Sequence, residues 1–248
     1  MKSVGRYSFL LKSYELDFRQ RIPVAVLYRF MQESAEHNAV ELGFDTETLL
    51  RRGLTWVLFK MHMQVDRYVV GRKPLEVETW PSKVDSRLAH REFAVFEPGV
   101  PDPFARASSI WMLLNLENGR PILLQPVLNG RHISRTTPGI PSAFPPLSRT
   151  GGVFFRKEFP VRLSDIDLNG HVNNIHYVEW LTESVPEEVW RSSSMRELQV
   201  EYKRQVRYGS VVAVETSRLG DGEYRHVLTA SDGAAEVMVA RSVWGLDD

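Results

Sequence analysis

The two halves of the chain carry the same motifs in the same order. The offset between them is 150 residues at the first two matches and then falls to 137 and 133, as differences in loop length would produce. A repeated unit of this size predicts that the halves fold alike. Four matching pairs mark the repeat: Phe9 and Phe159, Asp17 and Asp167, residues 77–79 and 214–216, and residues 107–111 and 240–244.

Each half also has the same predicted order of secondary structure. A strand with alternating apolar residues comes first and an amphipathic helix second, and four further strands follow. One helix and an antiparallel sheet bury the helix best when the sheet wraps around it, which is the α+β hotdog arrangement. We therefore predict a tandem (double) hotdog. The predicted strands are 7–16, 54–66, 74–83, 88–96 and 104–116, then 154–163, 196–207, 211–219, 223–231 and 235–245; the helices are 24–42 and 174–190, and Pro186 is expected to break the second one.

A composition break separates the halves. Residues 117–152 hold six prolines and five glycines, and segments this rich in both are typical of linkers and long loops. The predicted organisation is an N-terminal hotdog over residues 1–118, a linker over 119–152 and a C-terminal hotdog over 153–248.

Composition excludes several kinds of site. The chain has no cysteine, so a disulfide, a thiolate zinc site and a cysteine nucleophile are all ruled out. Lys+Arg and Asp+Glu are 31 each, so net charge argues neither for nor against an acidic partner. The segment 1–16 has no apolar core of a signal peptide, and no apolar run approaches the roughly 20 residues of a membrane span. We expect a cytoplasmic protein that binds neither membranes nor nucleic acid.

The second half alone carries a dense polar run where its first strand meets its helix. Residues 165–174 read DIDLNGHVNN, with two carboxylates, one histidine and three carboxamides. The copy that begins at Asp17 reads DFRQRIPV and keeps the aspartate without the histidine or the asparagines. Residues needed only to turn a strand into a helix should occur in both copies. The run is therefore predicted to be functional.

A purely structural interpretation of the run explains only part of it. Asn173 or Asn174 suits a helix N-cap, and short polar residues suit a turn. Capping leaves Asp167, Asn169 and His171 together unexplained.

Calcium binding is a second alternative. The spacing of Asp165, Asp167 and Asn169, followed by Gly170, matches the first half of an EF-hand loop. The twelfth position of such a loop supplies a bidentate glutamate, whereas here it is His176. The segment before the run also resembles a strand, not a helix. No metal site and no cofactor are predicted.

The run and its surroundings resemble the acyl-ACP thioesterases of plants and bacteria, double-hotdog enzymes that release fatty acids from acyl carrier protein (ACP). The signature Asp167-x-Asn169-x-His171-Val172-Asn173-Asn174 carries the resemblance most strongly. The similarity extends over nearly the whole chain. Further segments similar to the family are Ser13-Tyr14-Glu15, residues 32–35, Trp56-Val57, residues 65–68 and 106–111, and Glu201-Tyr202-Lys203-Arg204.

The resemblance implies that Asp167, Asn169 and His171 are catalytic. The plant enzymes also use a glutamate where this chain has Gln205, which can orient water or bind substrate but cannot act as a base or a nucleophile. Asp167 is then the best carboxylate to attack the acyl carbon or to activate water. His171 would orient Asp167 or protonate the leaving thiolate, and Asn169 would hold the carbonyl or the water.

The start of the second helix supplies candidate oxyanion donors. Backbone N–H groups at a helix N-terminus point outward and lie at the positive end of the helix dipole. We therefore predict that Val172, Asn173 and Asn174 combine the helix start with oxyanion stabilisation.

The first half is expected to hold the acyl chain. Trp56, Phe59, Met61 and Met63 are the predicted pocket residues, although each can equally be ordinary core. ACP is acidic, so its docking surface should be basic. The leading candidates are Lys203, Arg204 and Arg207, and the alternatives are Arg51-Arg52 and Arg67 with Arg72-Lys73. Arg207 is preferred because it lies close to the proposed site in sequence.

The leading prediction is a thioesterase that hydrolyses fatty acyl-ACP to free fatty acid and holo-ACP. An acyl-CoA thioesterase of the hotdog fold is the nearest alternative, since both substrates carry the same phosphopantetheine arm. A hotdog protein that binds acyl groups without hydrolysing them is a third possibility, which Gln205 keeps open. A double hotdog already pairs two hotdog units within one chain, so it can exist as a monomer. A homodimer is the alternative.

Overall fold

The structure, a computed structural model, describes residues 4–128, 135–147, 152, 154–231 and 235–246. Its internal contacts divide the chain into two compact units, Met1–Ala143 and Phe144–Asp248. The division lies inside the segment predicted as a linker (119–152). Within the described ranges, no helix is both long and apolar enough to cross a membrane.

The first unit is an antiparallel five-stranded sheet in the order β1-β3-β4-β5-β2. Helix α1 packs against β1 and β3, where Phe9 stacks on Phe30 with their ring centroids 4.6 Å apart. One turn of 3-10 helix, Ser13–Glu15, separates β1 from α1. The elements are β1 Gly5–Leu10, α1 Val24–Leu42, α2 Thr46–Leu50, β2 Leu54–Val65, β3 Pro74–Asp85, β4 Leu88–Phe96, β5 Ala105–Asn115 and α3 Gln125–Leu128.

The second unit repeats this plan with the strand order β7-β10-β9-β8-β6, again antiparallel. Helix α4 contacts β8, and Phe159 stacks on Trp180 at 5.8 Å, as Phe9 does on Phe30. A 3-10 turn, Leu163–Asp165, again follows the first strand. The elements are β6 Phe155–Pro160, α4 Asn174–Thr182, α5 Glu187–Ser192, β7 Ser193–Tyr202, β8 Val211–Gly220, β9 Glu223–Ala230 and β10 Glu236–Leu246.

The strand pairing preserves the offsets of the sequence repeat. Tyr7 of β1 lies opposite Val77 of β3, and Lys157 of β6 lies opposite Val214 of β8. These pairs keep the offsets of 150 and 137 residues that the motifs show. The third offset, 133 residues, relates two equivalent hydrogen bonds. Trp111 Nε1 donates to Ser109 Oγ (2.8 Å), and Trp244 Nε1 donates to Ser242 Oγ (3.0 Å).

The predicted second helix, 174–190, is two helices. It ends at Thr182, and α5 starts after Pro186, whose extended ψ of 144° makes it the N-cap of α5. Proline disfavours helical backbone at the residue before it, so a continuous helix cannot pass through this point easily. The opening strands also end at Leu10 and Pro160, earlier than predicted, because a 3-10 turn follows each one.

Candidate active site

The loop between β6 and α4 is organised around Asp167. Its Oδ1 accepts hydrogen bonds from the N–H of Asn169 (2.8 Å) and, more weakly, of His171 (3.4 Å). Its own N–H donates to the carbonyl of His171 at 2.8 Å. Gly170 has a φ of 76°, a left-handed conformation that glycine adopts without strain. The three predicted catalytic residues are thus held within one tight turn.

The first unit builds the same loop around Asp17. Asp17 Oδ1 accepts from the N–H groups of Arg19 and Arg21, both at 2.8 Å, and Gln20 takes the left-handed φ of 58° where the second unit has glycine. The aspartate therefore has a structural role in both copies. Its second oxygen distinguishes them, because Asp17 Oδ2 lies 3.6 Å from the Arg21 guanidinium.

In the second unit the residue that matches Arg21 is His171. No hydrogen bond or ion pair from the described residues reaches the Oδ2 of Asp167. One carboxylate oxygen is therefore fixed by the backbone, and the other is available to a water molecule or a substrate. A carboxylate with this division of roles can act as a base or a nucleophile while the loop keeps its shape.

Asp165 has a structural role that the sequence did not assign. Its carboxylate is fully buried and accepts from the backbone N–H and the guanidinium of Arg162, each at 2.8 Å. Burial pushes the pKa of Asp165 up, but the hydrogen bonds from Arg162 outweigh this and hold the pKa below its ordinary value. Its oxygens are therefore committed to Arg162. Across the described residues, no group of three or more His, Asp or Glu side chains is placed to hold a metal ion.

His171 lies between the loop and the segment that follows β7. Val172 N–H donates to the carbonyl of Val206 at 2.9 Å, which brings this segment against the loop. Arg207 Nε then donates to His171 Nε2 at 3.4 Å. Burial, and next the charge of Arg207, lower the pKa of His171 from its ordinary value, and Asp167 opposes them. The ring is neutral at neutral pH.

Two of the three predicted oxyanion donors are already occupied. Val172 N–H donates to Val206, and Asn173 N–H donates to the carbonyl of Asp165 at 2.9 Å. The oxyanion prediction is therefore corrected for these two residues, because the loop uses their N–H groups to hold its own fold. Asn174, in the first turn of α4, remains the candidate, since the first N–H groups of a helix have no intrahelical partner.

The predicted helix start is confirmed. Asn173 is the N-cap of α4, and its Oδ1 accepts from the N–H of Ile175 at 3.0 Å. The positive end of the α4 dipole therefore lies at the loop that carries Asp167.

Gln205 is exposed and lies beyond the end of strand β7, although the predicted strand 196–207 includes it. Strand β7 ends at Tyr202, after which the N–H groups of Lys203 and Arg204 both donate to the carbonyl of Val237, at 2.8 and 3.2 Å. Because the strand has already ended, alternation along β7 does not place Gln205 on the same face as Glu201. The side chain of Gln205 forms no hydrogen bond with the described part of the chain and sits next to Val206, which anchors the loop.

The three predicted docking residues have different surroundings. Lys203 forms an ion pair with Glu236, and Arg207 contacts His171. Arg204 is exposed and pairs with no carboxylate among the described residues. Docking of ACP on this segment stays a prediction. The contact between Arg207 and His171 was not foreseen, since nothing local in the sequence joins residues 36 positions apart.

A β-bulge explains how the predicted pocket residues are arranged. The pairing of β2 with β5 shifts at Phe59, and this extra residue puts Trp56, Met61 and Met63 on one face of the sheet. Simple alternation would have put Trp56 on the opposite face from the two methionines. The two methionines are buried, and Trp56 and Phe59 are half-buried. Their role in holding an acyl chain stays a prediction.

Two family models together match most of the chain. Residues 2–127 match the acyl-ACP thioesterase N-terminal domain, and residues 149–245 match the acyl-ACP thioesterase C-terminal domain. The chain belongs to the acyl-ACP thioesterase family.

Two relatives of the chain are plant proteins. A chloroplastic acyl-[acyl-carrier-protein] hydrolase of Cuphea viscosissima and a chloroplastic palmitoyl-acyl carrier protein thioesterase of Cuphea hookeriana are each 28% identical to the chain. Both matches cover 97% of the chain and 62% of the relative, so the chain spans about three fifths of their length. The relatives are chloroplastic, and the expected cytoplasmic location of this protein stays a prediction.

Solved structures of the family have the same fold. The 12:0-ACP thioesterase from Umbellularia californica matches with a TM-score of 0.88 at 24% identity, over 100% of this chain and 99% of that one. An acyl-ACP thioesterase from Bacteroides thetaiotaomicron matches with a TM-score of 0.82 at 23% identity, over 98% of each chain. These matches confirm the predicted α+β double hotdog.

Proposed function

We propose that the protein hydrolyses fatty acyl-ACP to a free fatty acid and holo-ACP. The observation that carries this proposal is the Asp167 loop, in which one carboxylate oxygen is fixed and the other is available, in a chain of the acyl-ACP thioesterase family. The two Cuphea relatives are an acyl-[acyl-carrier-protein] hydrolase and a palmitoyl-acyl carrier protein thioesterase, which supports ACP as the carrier.

The reaction needs one carboxylate and one water molecule. Asp167 takes a proton from a water molecule whose oxygen attacks the acyl carbon, or it attacks that carbon itself and the resulting anhydride is then hydrolysed. On either route the net change is one new C–O bond and the loss of the C–S bond, and the phosphopantetheine sulfur leaves as a thiol with a proton that comes from water. We expect Asn169, His171 and the N–H of Asn174 to stabilise the negative charge that develops on the carbonyl oxygen. The role proposed for Gln205 is to orient the water.

Release of free thiol from acyl-ACP and acyl-CoA, measured side by side, tests the substrate. The proposal expects a higher kcat/KM with acyl-ACP. A higher value with acyl-CoA would favour the acyl-CoA thioesterase, and tight acyl binding without thiol release from either substrate would favour the non-catalytic acyl-binding protein. The oligomeric state, monomer or homodimer, can be measured on the same samples by light scattering.

Docking of ACP is proposed on the basic segment 203–207. Arg204 is its most direct test, because Lys203 is ion-paired and Arg207 contacts the site. We expect R204E to raise the KM for acyl-ACP several-fold at low ionic strength and to have less effect at high salt, where screening weakens charge attraction. R87E, which makes the same change of charge at an exposed residue of the first unit, is the control. An equal rise in KM for R87E would contradict the docking proposal.

The acyl chain is proposed to contact Trp56, Phe59, Met61 and Met63. Since three of these share one face of the first sheet, changing their volume should change the space on that face. M63A and M61A should move the preferred product toward longer chains, and M63F should move it toward shorter ones. Fatty-acid products from mixed acyl-ACP substrates, identified by mass spectrometry, measure this. No shift across these variants would count against the pocket.

A further inference from the structure

Arg207 contacts the ring of His171, which sets it apart from the other two basic residues of its segment. Its Nε–H points at His171 Nε2 over 3.4 Å, while Lys203 pairs with Glu236 on the surface. The backbone holds this contact in place, because Val172 N–H donates to the carbonyl of Val206, the residue before Arg207. The arginine is therefore anchored beside the ring and is not simply one flexible cation among several.

The direction of this hydrogen bond decides where the proton of His171 lies. Arginine only donates, so His171 Nε2 must accept. A neutral imidazole has one donor nitrogen and one acceptor nitrogen, so its proton must then be on Nδ1. Nδ1 is buried and forms no hydrogen bond with the described residues, and the backbone of Asn169 favours the protonated ring.

We propose that Arg207 is a positioning residue that fixes His171 as the neutral Nδ1–H tautomer, so that His171 serves as a hydrogen-bond donor and not as a base. The consequence for catalysis rests on the proposed thioesterase function; the tautomer itself does not. Nδ1–H is then the donor of the ring, His171 is kept out of the role of base, and Asp167 is left as the base or nucleophile.

The charges around the ring agree with this assignment. Among the described residues, the groups that act on His171 are Arg207, Asp167 and the carbonyl of Asn169. Burial and Arg207 lower the pKa of His171 against the effect of the other two. A neutral imidazole held next to a positive charge can polarise a carbonyl without taking up a proton itself.

The first unit shows what the loop does without this arrangement. There, Arg21 occupies the place of His171, and its guanidinium lies 3.6 Å from the aspartate of its own loop. In the second unit His171 replaces this arginine, and Arg207, which lies on another segment, contacts His171 and not an aspartate. Asp167 consequently keeps an unpaired oxygen, and His171 keeps a fixed orientation.

Nitrogen-15 NMR of the histidine side chains tests the tautomer directly. The signals of His171 are assigned by their loss in H171Q. In the wild-type protein we expect the proton on Nδ1 and a titration below the ordinary histidine range. R207Q removes the charge and the anchored Nε–H, and its amide can either donate or accept, so the ring should no longer be held as Nδ1–H and its pKa should rise. R207K restores the charge without the guanidinium Nε–H and should bring the pKa back down.

R204Q is the matched control, since it removes an arginine three residues away that lacks contact with His171. It should leave the tautomer and the titration of His171 unchanged. The proposal is overturned if the wild-type ring carries its proton on Nε2, or if R207Q changes neither the tautomer nor the pKa.

Kinetics with a small thioester separate positioning from docking. With an acyl-N-acetylcysteamine substrate, which has no carrier protein, R207Q should lower kcat about tenfold, less than the 10²–10³ expected for complete loss of an oxyanion donor. It should also shift the acid limb of the kcat/KM profile to higher pH. Unchanged kinetics on this substrate with a raised KM for acyl-ACP would make Arg207 a docking residue and contradict the proposal. Absence of all turnover, together with the expected NMR changes, would overturn only the proposed function.

Discussion

At the scale of single residues, the repeat separates the structural atoms of the site from the reactive ones. Asp17 and Asp167 use the same oxygen to accept backbone N–H groups of their loops. The second oxygen faces Arg21 in one copy and lacks such a partner in the other. A comparison of sequences alone identifies the retained aspartate as scaffold, whereas the structure shows that only one oxygen of Asp167 is used to hold the loop by the described residues.

Gln205 is the residue at which the chain departs from the plant enzymes that it resembles. Because its side chain is exposed and is not held by the described residues, we expect it to orient water only weakly. Q205A should lower kcat about tenfold, well short of the 10²–10⁴ associated with a general base. Steady-state kinetics on acyl-ACP measure this. An unchanged kcat would remove Gln205 from the site, and a loss above 10³-fold would give it a larger role than a carboxamide can supply.

His226 connects the stability of the second unit to pH. Its ring is fully buried between Thr216 Oγ1 (2.9 Å) and Ser242 Oγ (2.8 Å), and burial lowers its pKa from 6.5 to about 3. The unfolded chain takes up this proton near pH 6.5, whereas the folded protein does not until about pH 3. Stability that is fully present above pH 6.5 should therefore be lost as the pH falls toward 3, by up to about 1.4 kcal/mol per pH unit.

The repeat supplies the substitution that tests this effect. Phe93 lies opposite Ala107 as His226 lies opposite Ala240, so phenylalanine already occupies this position in the first unit. H226F should flatten the dependence of the unfolding free energy on pH by about one proton between pH 6 and pH 4. Urea denaturation across this range measures it, with the exposed-site variant H37Q as the control. An unchanged slope in H226F would show that other groups cause the acid sensitivity.

At the scale of elements, strands, helices and their order follow from the sequence, while irregular positions do not. The apolar pattern predicted α1 at its observed bounds, and most strands within two or three residues. The bulge at Phe59 and the end of β7 at Tyr202 depend on pairing with distant strands. A local sequence pattern carries no information about such contacts. The side of the sheet on which Met61 lies, and the position of Gln205 outside β7, could therefore not be predicted.

The segment 135–140 is another element that composition described incompletely. Its Pro and Gly content predicted a linker, yet it lies on the first sheet, where Gly139 N–H donates to Glu92 at 2.8 Å and Trp80 Nε1 donates to the carbonyl of Thr137 at 2.9 Å. Glu92 is buried and also accepts from Ser82 at 2.6 Å. The carboxylate of Glu92 therefore joins Ser82 of β3 to Gly139 of this segment.

Removal of that carboxylate should loosen the segment. E92A leaves several buried donors without an acceptor, at a cost of about 1–3 kcal/mol each. We expect a fall in the unfolding free energy of that order and faster hydrogen exchange at the amide of Gly139. E117A, an exposed glutamate of the same unit, is the control and should change neither quantity. Unaltered exchange at Gly139 in E92A would contradict this account of the segment.

At the scale of the whole molecule, the sequence predicted both the double hotdog and the half that carries the signature. The repeat established the architecture, because matching offsets imply matching folds, and the dissimilar residues at 19–21 and 169–171 located the polar site. The contact between Arg207 and His171 and the role of Asp165 could not be predicted, because each depends on how a loop packs in three dimensions.

The Asp17 and Asp167 loops share one structure, and we propose that only the Asp167 loop is catalytic. The matched pair D167N and D17N tests this most directly, because asparagine keeps the oxygen that accepts the backbone N–H groups and removes the charge. We expect D167N to lower kcat on acyl-ACP by about 10²–10⁴ with little change in unfolding free energy. D17N should keep turnover within about twofold and lose roughly 1–3 kcal/mol of stability, because buried Arg21 loses its partner. Near wild-type turnover in D167N, or an equal loss of turnover in D17N, would contradict the account.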